Sequence, residues 1–194
     1  MPITQPDVAL LARAQRGDEA AFAAIVRQYQ GTVFNYVLRV VGGDRALAED
    51  LCQEIFLRVY QGLAGFNMKS RFTTWLFQVA KHRVLDELRA RERRGKPPID
   101  IDSMPNAFAV HDPEIRLEEM DSVFRAISAL NPDLKMALLL RDIVGLSYAE
   151  IAESLEISLA TTKWRIFKAR ELTAERLVAE GVLRLPVEAT VPAA

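Results

Sequence analysis

Apolar residues return at helical spacing through the first third of the chain: Leu10, Leu11 and Ala14, then Phe22, Ile25, Val26 and Tyr29, then Val33, Tyr36, Val37 and Val40. Gly17-Asp18 and Gly42-Gly43-Asp44 interrupt the pattern, and each break places an aspartate where a helix N-cap belongs. The spacing predicts helices near 7–15, 18–41 and 44–61. A further helix is expected after Ser70, carrying Phe72, Trp75, Leu76 and Val79 on one face and running into the basic stretch RARERRGK, where Pro97-Pro98 stops it.

Residues 97–113 contain four prolines and no clear period, which marks a linker. Between Pro97 and Glu114 the only charges are Asp100, Asp102, Asp112 and Glu114, so this linker is acidic. Helical pattern resumes near Glu114 with Ile115, Leu117, Met120, Val123, Phe124, Ile127 and Leu130, breaks at Asn131-Pro132, and runs on to Gly145. The expected architecture is all-α. Two small helical domains, 7–96 and 114–180, are joined by the flexible linker 97–113, and a frayed tail covers 181–194.

Two more helices follow Gly145. Ser147 and Glu150 stand at capping-box spacing, with Leu146 and Ile151 placed to staple around the cap, and Ser158 can cap a second helix after the turn at Glu156-Ile157. Two helices joined by so short a turn form a helix-turn-helix, whose second helix ordinarily enters the DNA major groove. On a wheel of about 100° per residue, Leu159, Thr162, Ala169 and Thr173 fall on the side of Ile166, facing inward. Thr161, Trp164 and Lys168 fall opposite, flanked by Lys163, Arg165 and Phe167. Cations beside exposed aromatics suit phosphates and thymine methyls; a helical hairpin burying Trp164 and Phe167 in an interface is the alternative.

Charge refines this picture only locally. Lys and Arg total 25 against 26 Asp and Glu, a net charge of −1, so the total points to no nucleic-acid partner. Between Ser158 and Arg176, however, five cations oppose two carboxylates, and between Lys81 and Lys96 seven oppose three. The second of these basic tracks follows Phe66, Phe72, Trp75 and Phe77, a combination suited to single-stranded nucleic acid. Since Phe72, Trp75 and Leu76 share a core face, Phe66 and the loop Asn67, Met68, Lys69 and Ser70 are the better candidates for base contact.

On the helix from Asp44, the stripe Leu47, Leu51, Ile55 and Val59 leaves Asp50 and Gln53 outward, with Glu54 toward the edge. Like charges four apart repel, so a basic partner would account for Asp50 and Glu54. Acid–base or metal chemistry by this pair lacks a histidine at helical spacing, and no catalytic residue, metal or cofactor is expected. His82 and His111 read as hydrogen-bonding groups. A single cysteine, Cys52, excludes an internal disulfide and suits a reducing compartment, the cytoplasm. The longest uncharged stretch, Gln28 to Leu38, is 11 residues, too short to span a bilayer, and the first residues lack signal-peptide features.

The stretches LLARAQRGDEAAFAAIVRQY, AEDLCQEIFLRVYQGL, FNMKSRFTTWLFQVAKHRVLDELRAR and LNPDLKMALLLRDIVGLSYAEIAESLEISLATTKWRIFKAR, in this order, resemble bacterial sigma factors of the extracytoplasmic function type. That family keeps two domains, sigma-2 and sigma-4. The resemblance implies that Asp50, Gln53 and Glu54 bind the clamp helices of core RNA polymerase. It implies that Phe66 to Phe72 capture a flipped minus-10 base and that Lys81, His82 and Arg83 support melting and hold the nontemplate strand. Thr161, Lys163, Trp164, Phe167 and Lys168 would read the minus-35 duplex, with Arg165 and Arg170 available to phosphates. Core polymerase, promoter DNA and an anti-sigma factor are the implied partners, with no membrane insertion and no small-molecule substrate. The sequence departs from the family at His82, commonly Asn, at the glycine-free loop NMKS, and at Trp164, where small residues are frequent. A conventional helix-turn-helix regulator that binds DNA without polymerase is the alternative reading.

Overall fold

In the computed structural model, residues 3–95 and 117–183 are described. The linker expected at 97–113 and the tail from 184 onward lie outside them. Asp7, Asp18 and Asp44 each accept backbone N–H groups of the turn that follows, at 2.8 to 3.1 Å, and so start α1 (Val8–Gln15), α2 (Glu19–Val40) and α3 (Arg45–Leu63). α4 (Phe72–Arg93) begins without a side-chain cap. Its far end is tied to the start of α3 by Arg91, which donates to Asp44 at 3.2 Å.

α2 is the central helix of this half. Ile25, Tyr29, Val33, Tyr36 and Val37 are buried against Leu51, Ile55 and Val59 of α3 and Leu76, Phe77 and Ala80 of α4. Tyr36 meets Phe77 edge to face, with centroids 5.3 Å apart. The three stripes that the helical period marks in the sequence thus close on one another.

The second half contains α5 (Leu117–Ser128), α6 (Pro132–Leu139), α7 (Tyr148–Leu155) and α8 (Leu159–Ala179). Asn131 caps α6 through the Leu134 N–H at 2.9 Å. A π-helical turn over Leu140–Val144 ends at Gly145, whose φ of 82° is the left-handed geometry that glycine adopts without strain. Ser147 and Glu150 form the reciprocal capping box, and Leu146 and Ile151 are both fully buried beside it. Ser158 caps α8 through Thr161 at 3.0 Å.

The two halves pack together. Met136, Leu139, Leu140, Ile151, Leu155 and Ile166 belong to the same continuous apolar core as α2 to α4. Polar contacts also cross the seam: the Ser154 hydroxyl donates to the Thr74 carbonyl at 2.9 Å, Arg39 lies 4.9 Å above the Phe124 ring, and Lys135 reaches the Val40 carbonyl at 3.4 Å. The sequence reads as two small helical domains joined by a linker; their described residues also share a core. They pack here because α6 and α7 carry apolar residues on more of their circumference than α8 can cover.

Candidate nucleic-acid interface

The face of α8 turned away from the core carries Lys163, Trp164 and Phe167, the two aromatics at 59% and 67% exposure. Thr162, Ile166 and Ala169 are buried beneath them. This is the division that the helical wheel gives, with one correction: Leu159, expected to face inward, is exposed, because as the first residue of α8 it has no preceding helical turn to pack with, whereas Thr162 in the same turn is buried. Two exposed aromatic rings beside a cation on a capped helix cost the free protein apolar hydration, which contact with base edges and sugar would relieve.

The basic charge of this face is already partly engaged. Arg165 donates to Asp133 at 2.9 Å, Arg170 to Asp142 at 2.6 Å, and Lys168 to Glu171. Asp133 and Asp142 lie 32 and 28 residues away in sequence, so a local charge count misses them. These pairs are solvent-exposed on at least one side and individually weak, so phosphate oxygens can replace the carboxylates. The Thr161 hydroxyl, 2.8 Å from that of Ser158, takes part in the cap.

The loop between α3 and α4 keeps Asn67, Met68 and Lys69 exposed and Ser70 half-buried. Asn67 accepts the Lys69 N–H at 3.0 Å in an Asx turn, and Met68 sits at a φ of 57°. A glycine would be comfortable there; methionine is strained, a pattern that accumulates at ligand-contacting loops. Phe66, expected to contact a base, instead lies inward at 7% exposure, stacked on Trp75 at 5.0 Å and edge-on to Phe72. The apolar edge of α4 beside it is wide enough to take a third ring, which the sequence spacing does not reveal.

Lys81, His82 and Arg83 were expected to form one strand-holding row. The structure divides them. Arg83 turns back to α3, donating to Glu54 at 3.2 Å and to Glu87 at 3.1 Å, and this hydrogen bond holds the Glu54 carboxyl below its usual range. Lys81 and His82 face the other half and converge on Glu156 in the α7–α8 turn, His82 at 2.9 Å, with Gln78 adding a donor at 3.0 Å. The Lys81 contact foremost, with those of His82 and Gln78, holds the Glu156 carboxyl down at about 2. Glu156 and Gln78 were not among the residues singled out in the sequence. The one signal was an acidic residue in a helix-turn-helix turn, where glycine is the conformationally easy choice.

Asp50, Gln53 and Glu54 are all exposed on α3. Leu57 continues the same face one turn further on at 55% exposure, and Tyr60 borders it, packed edge to face on Phe22. An acidic surface with an apolar centre suits a basic amphipathic helix. Cys52 behind it is half-buried, and burial pushes its thiol up to about 12, leaving it unreactive. Among the described residues, no cluster of three or more His, Cys, Asp or Glu could hold a metal, and no helix is long and apolar enough to cross a membrane.

Comparison with known proteins agrees with this arrangement. The family description Sigma-70 region 2 matches residues 25–94, and Sigma-70, region 4 matches residues 120–172. The chain is 37% identical over 177 residues to the ECF RNA polymerase sigma-E factor of Escherichia coli K12, covering 85% of this chain and 91% of that one. It is 35% identical over 178 residues to the RNA polymerase sigma-H factor of Pseudomonas aeruginosa, covering 86% and 91%. Among solved structures, CnrH in complex with the cytosolic domain of CnrY superposes with a TM-score of 0.65 at 21% identity, over 89% of this chain and 97% of that one. The sigma factor RpoE of Bartonella quintana, in complex with the anti-sigma factor NepR, gives 0.66 at 22%, over 82% and 98%. The chain belongs to the sigma-70 family of transcription initiation factors. Within that family it is a sigma factor of the extracytoplasmic function type.

Proposed function

We propose that the first half, 7–96, binds core RNA polymerase through Asp50, Gln53 and Glu54 and takes up the minus-10 strand, while the second half, 114–180, reads the minus-35 element with α8. Thr161, Lys163, Trp164, Phe167 and Lys168 face the duplex. Arg165 and Arg170 exchange their carboxylate partners for phosphates. The loop Asn67 to Ser70, together with Lys81 and His82, takes the displaced strand, and the energy of capture offsets unstacking, which costs a few kcal/mol for an extruded base. Arg83 positions Glu54, and Phe66 supports the loop from beneath.

The chain supplies promoter choice and no catalysis, and it acts in the cytoplasm, where core polymerase is. An anti-sigma factor is its third partner. The cleft of about 810 Å³ between the ends of α2 and α4 and the α5–α6 turn, lined by Val40, Leu85, Leu88 and Leu130 with Arg89 at its rim, offers such a protein an apolar seat. Near-zero net charge suits a protein that binds DNA productively only as part of the holoenzyme.

The observation that carries this reading is the pair of exposed rings, Trp164 and Phe167, on the outward face of a capped second helix. Pull-down with core polymerase followed by run-off transcription tests it. The chain is expected to restore promoter-specific initiation to sigma-free core. A protein that bound an operator tightly alone and left core polymerase inactive would be a conventional helix-turn-helix regulator instead.

A further inference from the structure

The contacts between α4 and the helix-turn-helix point to a device inside the chain. We propose that Glu156 is a latch: it occupies Lys81 and His82 in the free protein and competes with the nucleic-acid strand for them, so that strand binding requires the two halves to part. The proposal rests on the assignment of Lys81 and His82 to the minus-10 strand.

The geometry supports it in three ways. First, donors from three α4 residues, Gln78, Lys81 and His82, meet on one carboxylate, with Gln78 on one oxygen and Lys81 and His82 on the other. An anionic oxygen between an ammonium and ring or amide N–H groups is how a phosphate oxygen is held, so the carboxylate fills a phosphate-like position. Lys81 is buried by the contact and cannot reach a strand while it persists.

Second, Glu156 stands at a φ of 57°, the left-handed position that closes α7, where its own N–H already caps the helix through the Ala152 and Glu153 carbonyls. Glycine performs that closure without strain. The turn itself therefore does not require glutamate; the side chain's contacts are all on α4.

Third, the latch lies in a polar part of the seam. Arg71 pairs with Glu150 at 3.0 Å, Ser154 donates to Thr74, and the Lys81 ammonium also approaches the Leu155 carbonyl at 3.4 Å. Such contacts exchange for water with small net loss, so this polar edge is the part of the seam that opens most easily, beside the apolar contacts of Leu140, Ile151, Leu155 and Ile166.

The test uses the full chain and its Glu156→Gly variant, which relieves the backbone while deleting the carboxylate. Small-angle scattering reads the separation of the halves, and a fluorescein-labelled pool of randomised single-stranded deoxyoligonucleotides reads strand binding. Glu156→Gly is expected to enlarge the radius of gyration with unchanged helix content and to tighten strand binding by about tenfold, the factor that about 1.4 kcal/mol of lost competition yields. Glu156→Gln, which keeps the acceptor oxygen without the charge, should fall between. Unchanged compactness together with unchanged strand affinity would overturn the latch. Permanganate footprinting of promoter opening by holoenzyme carrying Lys81→Ala and His82→Ala tests the underlying assignment separately. Normal opening there would remove the assignment, and the competition with it. Defective opening there, combined with a Glu156→Gly chain that expands but gains no strand affinity, would refute the competition alone.

Discussion

Arg83 of α4 and Glu54 of α3 are bound to each other, the guanidinium reaching both carboxylate oxygens while its Nη2 also donates to Glu87. Glu54 therefore serves the internal structure of the first half as well as the acidic surface it shares with Asp50. Like-charge spacing along α3 suggests that both carboxylates await a basic partner; for Glu54 part of that partner lies within the chain.

Charge reversal at the two positions should consequently give different outcomes. Asp50→Lys changes an exposed residue and is expected to leave stability within about 0.5 kcal/mol while abolishing capture by core polymerase. Glu54→Lys sets an ammonium against Arg83 and should also lower stability, by about 1–2 kcal/mol given that Glu87 remains to Arg83. Thermal melting alongside pull-down measures both. Because Arg83 holds the Glu54 carboxyl below its usual range, that pair stabilises the fold above the ordinary glutamate pKa and loses its contribution as pH falls through the lowered value.

Phe66 and Met68, two residues apart in the chain, should separate packing from contact. Phe66→Ala removes a buried ring stacked on Trp75 and is expected to cost about 3–5 kcal/mol, seen as a large fall in melting temperature. Met68→Ala, in the exposed loop, should leave melting nearly unchanged and weaken promoter opening by holoenzyme. A Phe66 variant of full stability with defective opening would restore that ring to the base-contacting surface.

Trp164→Ala and Phe167→Ala are each expected to stay within about 0.5 kcal/mol of the parent stability, since neither ring is packed in the core. Holoenzyme affinity for a duplex carrying the minus-35 element should drop by about tenfold or more for each, in keeping with the roughly 1.5–3 kcal/mol that burying such a ring yields. Gel-shift titration at fixed salt gives the number.

Lys135 provides a pH dependence of definite sign. Burial against the end of α2 pushes its ammonium down to about 8, from an ordinary 10.5. Between those values the unfolded chain holds a proton that the folded chain has released, so stability rises with pH across this window, and the cost of the buried charge is fully present below it. Cys52, pushed up to about 12 by burial, opposes this above its ordinary 9.0. Urea melts from pH 7 to 9 should therefore show a rise that Lys135→Met flattens, with the variant more stable than the parent at pH 7.

Much of this protein was legible along the chain. The helices, their caps and the outward face of α8 depend on neighbours within four residues: an aspartate accepts the N–H groups of the next turn, and apolar spacing sets which side of a helix turns inward. Asp18, Asp44, Ser147 and Ser158 all cap where the local pattern indicates. The order and spacing of the four stretches were enough to suggest the family. Tertiary structure decided the rest, because charge pairing and burial depend on residues distant in sequence. Only folding brings Asp133 and Asp142 to the arginines of α8, turns Phe66 under the loop, gives Arg83 to Glu54, and sets Glu156 against Lys81 and His82, 75 and 74 residues away.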